Sequence, residues 1–378
     1  MRILFALSGF HRYDRGAEVA LLSVASELAR TGDEVTVCGS GTERSDTPYT
    51  FRHLPAIGRE KFEKFPALPG FRNETQWEDA TFAARLAMSG EAGRYDATVT
   101  CGFPYANMAL RRGRKAGAKH IFVTQNGDWP AFSDKSEYRL FSCDGLVCTN
   151  PSYYARNKKR WPAALVPNGI DLTRFGPDAA AGRAMRERLG LPADKPIVLM
   201  VSAFIETKRV LDGMRAIAEL DNAVLVVAGD GPLRGKGDAL AAEILPDRYH
   251  RVSLPATGMP DLYRAADAFL HMSINESFGN VFLEAWASGL PVVAEDSVLT
   301  RWILGDKQYL CDTTKRDELV ATLRNSLSSG ARAGKSGIER FTWPVIAAQY
   351  RSFIEQVIAG SARPDGAAGP FANAADAA

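Results

Sequence analysis

Short apolar runs without polar alternation, separated by longer amphipathic stretches, recur from Ile3 to Ala294. A strand with one face in water alternates apolar and polar residues, whereas a continuous apolar run has both faces covered, as in a parallel sheet between helices. The intervening lengths agree, because parallel strands need a crossover of a dozen or more residues. The fold class is therefore α/β. In the first half, residues 3–7, 34–38, 97–101, 120–124 and 145–149 read as strands. Residues 19–30 read as a helix with Val19, Leu22, Ala25, Ser26 and Ala29 on one face. Residues 59–75, with Pro66, Pro69 and Gly70, read as a long surface loop. The pattern resumes with strands at 197–201, 223–228, 268–272 and 291–294. A last helix at 345–358 aligns Ile346, Tyr350, Phe353, Ile354 and Val357.

At 378 residues the chain exceeds what one hydrophobic core usually supports. It divides into a first domain at 1–170, a linker at 171–195, a second domain at 196–340, a C-terminal helix at 341–358 that packs back toward the first domain, and an Ala/Gly/Pro-rich tail at 359–378 with too little apolar surface to order. The five cysteines are scattered, without zinc spacing, and read as reduced, packed thiols. No apolar run reaches the length of a membrane span and none at the start suits a signal peptide, so a cytoplasmic location is expected.

Charge is divided unevenly. Residues 1–170 hold 23 Lys and Arg against 18 Asp and Glu, and the remainder 23 against 26. The surplus collects at Arg111, Arg112, Arg114, Lys115 and Lys119 and again at Arg156, Lys158, Lys159 and Arg160. Such clusters are either solvated faces or a peripheral contact for anionic lipid headgroups. Neither is interleaved with the stacking aromatics of a nucleic-acid surface, beyond Trp161.

The chemistry concentrates between Ser273 and Pro291. A strand leads into Ser273-Ile-Asn-Glu276-Ser-Phe278-Gly279-Asn280, followed by a helix that Gly289-Leu-Pro291 stops. A helix start after a parallel strand aims backbone N–H groups and the positive end of the helix dipole at the space above the sheet, where phosphates bind. Gly279 permits close backbone approach. Glu276 and Glu284 bracket the turn, and carboxylates accept hydrogen bonds from sugar hydroxyls. Their spacing alone is also compatible with ordinary surface acids.

The run Glu276-Ser-Phe-Gly-Asn-Val-Phe-Leu-Glu284-Ala-Trp-Ala-Ser-Gly-Leu-Pro291 resembles the E-x7-E signature of the retaining family-4 (group 1) glycosyltransferases of GT-B fold. Pro167-Asn-Gly-Ile-Asp171, residues 201–208, Ala228-Gly229-Asp-Gly231-Pro232 and Phe341-Thr-Trp343 resemble further segments of that family. The resemblance implies two Rossmann-like, doubly wound parallel-sheet domains facing across a cleft, with a nucleotide-diphosphate sugar as donor in the second. It implies Glu276 at the hydroxyls of the transferred sugar, Glu284 at the ribose, Lys208 at the diphosphate, and the amides of Phe278, Gly279 and Asn280 facing the donor, with Gly229 in the glycine turn. It also implies hexosyl transfer to a hydroxyl of a glycan, glycolipid or small molecule, in polysaccharide or glycolipid synthesis, by a front-face reaction without a protein nucleophile. The absence of any D-x-D sequence argues against a metal-held diphosphate, so no cofactor or metal is expected.

Several positions depart from the family pattern. Ser202-Ala-Phe204 lacks a customary arginine, leaving Arg209 as a candidate phosphate contact. The Gly-Gly turn before the first helix is Arg15-Gly16, where Arg15 is either a phosphate cation or an ordinary surface residue. A customary acceptor-side histidine gives way to Gln125-Asn126-Gly127-Asp128, with Asp128 the only potential base in that loop. Rival readings are a dehydrogenase, a non-catalytic sugar-nucleotide-binding subunit and an epimerase. The first fails on Pro232 and a missing acid, and the second on the presence of Lys208, Glu276 and Glu284 together. Against the epimerase, the only nearby histidine, His271, belongs to a strand.

Overall fold

The computed structural model describes residues 1–68, 70–71, 73–135, 138–305, 308–328 and 337–365, so the final part of the expected tail lies outside the described residues. The chain forms two units, one of residues 1–169 and 343–378, the other of residues 170–342.

The first unit is built on a parallel sheet of β1 (Arg2–Ala6), β2 (Glu34–Gly39), β3 (Thr50–His53), β4 (Ala97–Thr100), β5 (Lys119–Val123), β6 (Gly145–Cys148) and β7 (Ala163–Leu165). Their order is β3-β2-β1-β4-β5-β6-β7. Strand β1 shows why a continuous apolar run was required. Ile3 and Phe5 join the core under the helices Gly16–Arg30 and Trp343–Ile358, while Leu4 and Ala6 join a second core with Phe82, Leu86 and Leu110 on the opposite face. The chain order reverses between β1 and β4, a switch point that opens a crevice at the carboxyl ends of the strands.

The second unit repeats the plan with β8 (Ile197–Val201), β9 (Val224–Ala228), β10 (Tyr249–Val252), β11 (Ala268–His271), β12 (Val292–Glu295) and β13 (Tyr309–Cys311), in the order β10-β9-β8-β11-β12-β13. Its switch point lies between β8 and β11. All strand pairs in both sheets are parallel.

Four strands, β3, β7, β10 and β13, escape the apolar-run reading, and they are the four sheet edges. An edge strand buries less, as in β3, where only Phe51 is buried, and in β10, where Tyr249, His250 and Val252 are half-buried and Arg251 is exposed. The apolar face of the first helix is shifted in part from the expected one: Leu22 and Ala25 are buried as expected, joined by Leu21, Val24 and Leu28, while Val19, Ser26 and Ala29 are only half-buried. The last helix buries all five expected residues.

Among the described residues the expected surface loop is irregular up to Asn73, apart from a short 3-10 turn at Arg59–Lys61, and a helix, Glu74–Met88, follows it, whose start Asn73 caps by accepting from the Gln76 N–H at 3.1 Å. The preceding segment is held by rings, with Phe71 stacked on Trp77 at 4.0 Å and Phe62 on Trp77 at 5.6 Å. The expected linker belongs to the second unit. Its helix Ala179–Leu189 is anchored by Arg186, which donates to the Ala265 carbonyl at 2.8 Å and pairs with Asp267 at 2.7 Å. All five cysteines are buried and unbonded, and burial pushes the Cys38 thiol up to about 12.

Candidate functional site

In the second unit, the loop from Met272 to Gly279 follows β11 at the switch point, and the helix Asn280–Ala287 begins there. Gly279 adopts φ +82°, and a Cβ on it would stand 2.6 Å from the Phe282 ring. It is the helix N-cap and has no side chain to cap with, so the entry accepts a close ligand. Phe278 is 2% exposed and its ring packs near Trp302, so any donor contact of this residue belongs to its backbone. Asn280 opens the helix, with Glu284 one turn further on the same face.

Glu276 is the convergence point. Its Oε1 accepts from Lys208 Nζ, which arrives on a short 3-10 turn after β8, and lies 2.9 Å from His271 Nε2 at the end of β11. Burial pushes the Glu276 carboxyl upward, but the neighbouring His271 and Lys208 outweigh it and hold the group down at about 2. A carboxylate and an ammonium thus stand together in a partly buried loop, poised for a polyhydroxylated and anionic ligand. Sequence reasoning set His271 aside as a strand residue; its strand end is what brings the ring to Glu276. The signal available was its position five residues before Glu276, at the carboxyl end of the strand.

Glu284 is held by Tyr263, whose fully buried hydroxyl donates to Oε2 at 2.7 Å. Burial pushes the Glu284 carboxyl above its ordinary value, against that bond and the charge of Arg174. Such a group accepts hydroxyl hydrogen bonds at its remaining lone pairs. Gly229 follows β9, and a Cβ on it would lie 1.9 Å from the Ser202 carbonyl oxygen, so the turn after β9 closes on the loop after β8. Arg209 is engaged elsewhere: Nη1 donates to Thr313 Oγ1 at 3.0 Å and Nη2 to the Thr313 carbonyl at 2.9 Å. These bonds tie the loop after β8 to the region beyond β13.

The acceptor-side candidates lie at the carboxyl ends of the first sheet. Arg15 pairs with Glu18 at 2.8 Å and covers the Tyr13 ring at 4.2 Å, next to Gly16, the first residue of its helix. Gln125 exchanges two amide hydrogen bonds with Asn168, at 2.6 and 3.0 Å. Asn126 is exposed. Asp128 is corrected from potential base to structural anchor. It is fully buried, Arg156 grips both oxygens at 2.5 and 2.6 Å, and Asn157 adds a bond at 2.7 Å. Three of the carboxylate's four lone-pair directions are taken and the side chain is buried, the environment of an anchor.

The basic clusters are also partly consumed by structure. Arg114 pairs with Asp144 at 2.7 Å, Arg111 donates to the Leu140 carbonyl, and Arg156 holds Asp128. Arg112, Lys115 and Lys159 remain exposed. Among the described residues no helix is long and apolar enough to cross a membrane.

Comparison with known proteins agrees with this architecture. Residues 183–338 match the family model described as glycosyl transferases group 1, and residues 15–174 match that of glycosyltransferase family 4. The chain is 37% identical to a D-inositol 3-phosphate glycosyltransferase of Xylanimonas cellulosilytica over 88% of this chain and 89% of that one. It is 28% identical to a GDP-mannose-dependent alpha-(1-6)-phosphatidylinositol monomannoside mannosyltransferase of Mycolicibacterium smegmatis, over 78% of this chain and 85% of the relative. In fold it is similar to the sucrose-phosphate synthase of Thermosynechococcus elongatus, with TM-score 0.75 at 23% identity, covering 95% of this chain and all of that one. Two doubly wound parallel sheets, two matched family regions and a full-length relative above one-third identity lead to one conclusion: the chain belongs to the group 1, family-4 glycosyltransferases of GT-B fold, enzymes that use nucleotide sugars.

Proposed function

We propose that this enzyme transfers a hexose with retention of anomeric configuration from a nucleoside-diphosphate sugar, held by the second unit, to a hydroxyl of an acceptor held by the first. The observation that carries this reading is the meeting of Lys208, His271 and Glu276 before the start of the helix Asn280–Ala287. Departure of a nucleoside diphosphate concentrates negative charge on the leaving phosphate. Lys208 and the helix start favour that charge more in the transition state than in the bound donor, which is the requirement for lowering a barrier. Glu276, ionised across the physiological range, accepts hydroxyls of the departing sugar, and Glu284 accepts those of the ribose. The leaving phosphate takes the acceptor proton, so neither a protein nucleophile nor a bound metal enters the reaction.

The named substrates of the relatives, an inositol phosphate and a phosphatidylinositol mannoside, support a polyol or glycolipid acceptor and a place in cell-surface glycan synthesis, at the cytoplasmic side. Contact with an anionic bilayer rests on Arg112, Lys115 and Lys159 and is weak, at about 1 kcal/mol per basic residue.

The reading is tested by thermal shift with UDP, GDP and ADP, followed by transfer assays with the matching sugars. One nucleotide at 100 times its dissociation constant stabilises the protein by about 2.7 kcal/mol. Anomeric NMR of the product gives retention, and a chelator leaves the rate nearly unchanged. Failure of all three nucleotides to bind, an inverted product, or a large loss on chelation each overturns the corresponding part.

A further inference from the structure

At the switch point of the first sheet, the segments that follow β1, β4 and β5 enclose a cavity of about 280 Å³. Its polar lining includes Gln76, Asp79 and Asn126, and its walls include the rings of Phe103, Trp129 and Tyr138. Phe103 and Tyr138 lie 5.8 Å apart, and Trp129 is 58% exposed at the mouth. The volume is at the small end of the roughly 300–1,000 Å³ of ligand pockets, room for one ring.

The charges around the cavity decide what that ring carries. Among the described residues lining it there is no lysine or arginine, and Asp79 is the lone acid. The nearby cations are committed to carboxylates of their own: Arg15 pairs with Glu18 at 2.8 Å and Arg59 with Glu78 at 3.1 Å. Asp79 is the acid left over, with a hydrogen bond from the Ser8 hydroxyl at one oxygen. Burial pushes its carboxyl up to about 6, against the Ser8 bond. A phosphate placed here meets surplus negative charge without a cation to answer it. A neutral polyol instead donates hydroxyls to Asp79 and the side-chain carbonyls of Gln76 and Asn126, and lays its C–H face on the aromatic walls.

Resting on the glycosyltransferase reading above, we infer that this cavity binds an uncharged, hydroxylated ring of the acceptor, with Asp79 as its specificity-determining residue and Trp129 as its stacking face. Any phosphate of the acceptor lies outside the cavity.

Saturation-transfer NMR on the full chain, without donor, tests the inference with methyl α-mannoside, myo-inositol and myo-inositol 1-phosphate as probes. Expected is binding of both neutral probes, with saturation strongest on ring C–H protons, and at least tenfold weaker binding in Asp79→Asn and in Trp129→Ala. The second variant alters an exposed side chain and keeps the test valid should the first fail to fold. Neutral probes that do not bind, that bind within twofold of wild type in the folded variants, or that bind at least tenfold more weakly than the phosphate probe overturn the inference. The nucleotide thermal shift separates the two readings. Nucleotide binding without polyol binding defeats this inference alone, and polyol binding without nucleotide binding defeats the donor reading alone.

Discussion

Side chains of one chemical type take different roles according to what surrounds them. Glu276, Asp79 and Asp128 are all carboxylates near strand ends, yet the first is held ionised by His271 and Lys208, the second is pushed up by burial, and the third is locked by Arg156 and Asn157. Replacing Glu276 with alanine removes the acceptor of sugar hydroxyls and the partner of Lys208. Turnover is expected to collapse while circular dichroism stays unchanged, and activity within a few-fold of wild type sinks the catalytic role. Asp128→Ala acts in the opposite way, removing the carboxylate partner of Arg156 and one of the two acceptors of the Asn157 amide, at a loss of about 1–3 kcal/mol in urea unfolding. His120 supplies a pH dependence. It is fully buried between Asn107, whose side-chain amide donates to Nε2 at 3.0 Å, and Thr98, 2.9 Å from Nδ1, so the assigned state is neutral with its proton on Nδ1. Burial, with the charges of Arg114 and Arg111, pulls its pKa down to about 3. The unfolded chain therefore binds a proton that the folded chain refuses between roughly pH 6.5 and 3. This contribution to stability is complete above that window and is lost as pH falls through it, at about 1.4 kcal/mol per unit. The difference between wild type and His120→Gln in unfolding midpoints from pH 7.5 to 5 isolates it from Glu276 and Asp79; equal slopes refute the assignment.

Among elements, the helix Asn280–Ala287 depends on its entry. Gly279 combines a left-handed backbone with a position against the Phe282 ring, so alanine there strains the backbone by about 1–2 kcal/mol and displaces the ring. Gly279→Ala is expected to raise the donor KM at least tenfold with the global fold intact, and an unchanged KM removes this turn from the donor site. The sheet elements also explain what was legible from sequence. Central strands such as β1, β8 and β11 announce themselves because both faces are buried. Edge strands such as β3 and β10 bury less and look like loop. The helix Glu74–Met88 was hidden for a related reason: only Phe82, Ala83 and Leu86 of its apolar residues are buried, too few for a clear periodic stripe.

The whole molecule consists of two units, and the chain completes the first of them only at its end. The helix Trp343–Ile358 places Ile346, Tyr350, Phe353, Ile354 and Val357 in the core beneath β1, β5 and β6. At about 1.5–3 kcal/mol for each fully buried large side chain, these five contribute about 7.5–15 kcal/mol, a sum of the same size as the net stability of a typical domain. Ending the chain at Thr342 is therefore expected to abolish amide-exchange protection in β1 and β5 of the first unit; retained protection there contradicts the estimate. By itself the sequence determined the α/β class, the central strands and the loop and helix between Ser273 and Pro291, because continuous burial and the glycine-bracketed helix are written in neighbouring residues. Only the tertiary structure decided that His271 and Lys208 meet at Glu276, that Asp128 is an anchor, and that three strand ends enclose a cavity around Asp79. Those outcomes depend on sheet order, which brings together side chains as far apart as Lys208 and Glu276, and local periodicity carries no record of which distant residue fills the space beside a carboxylate.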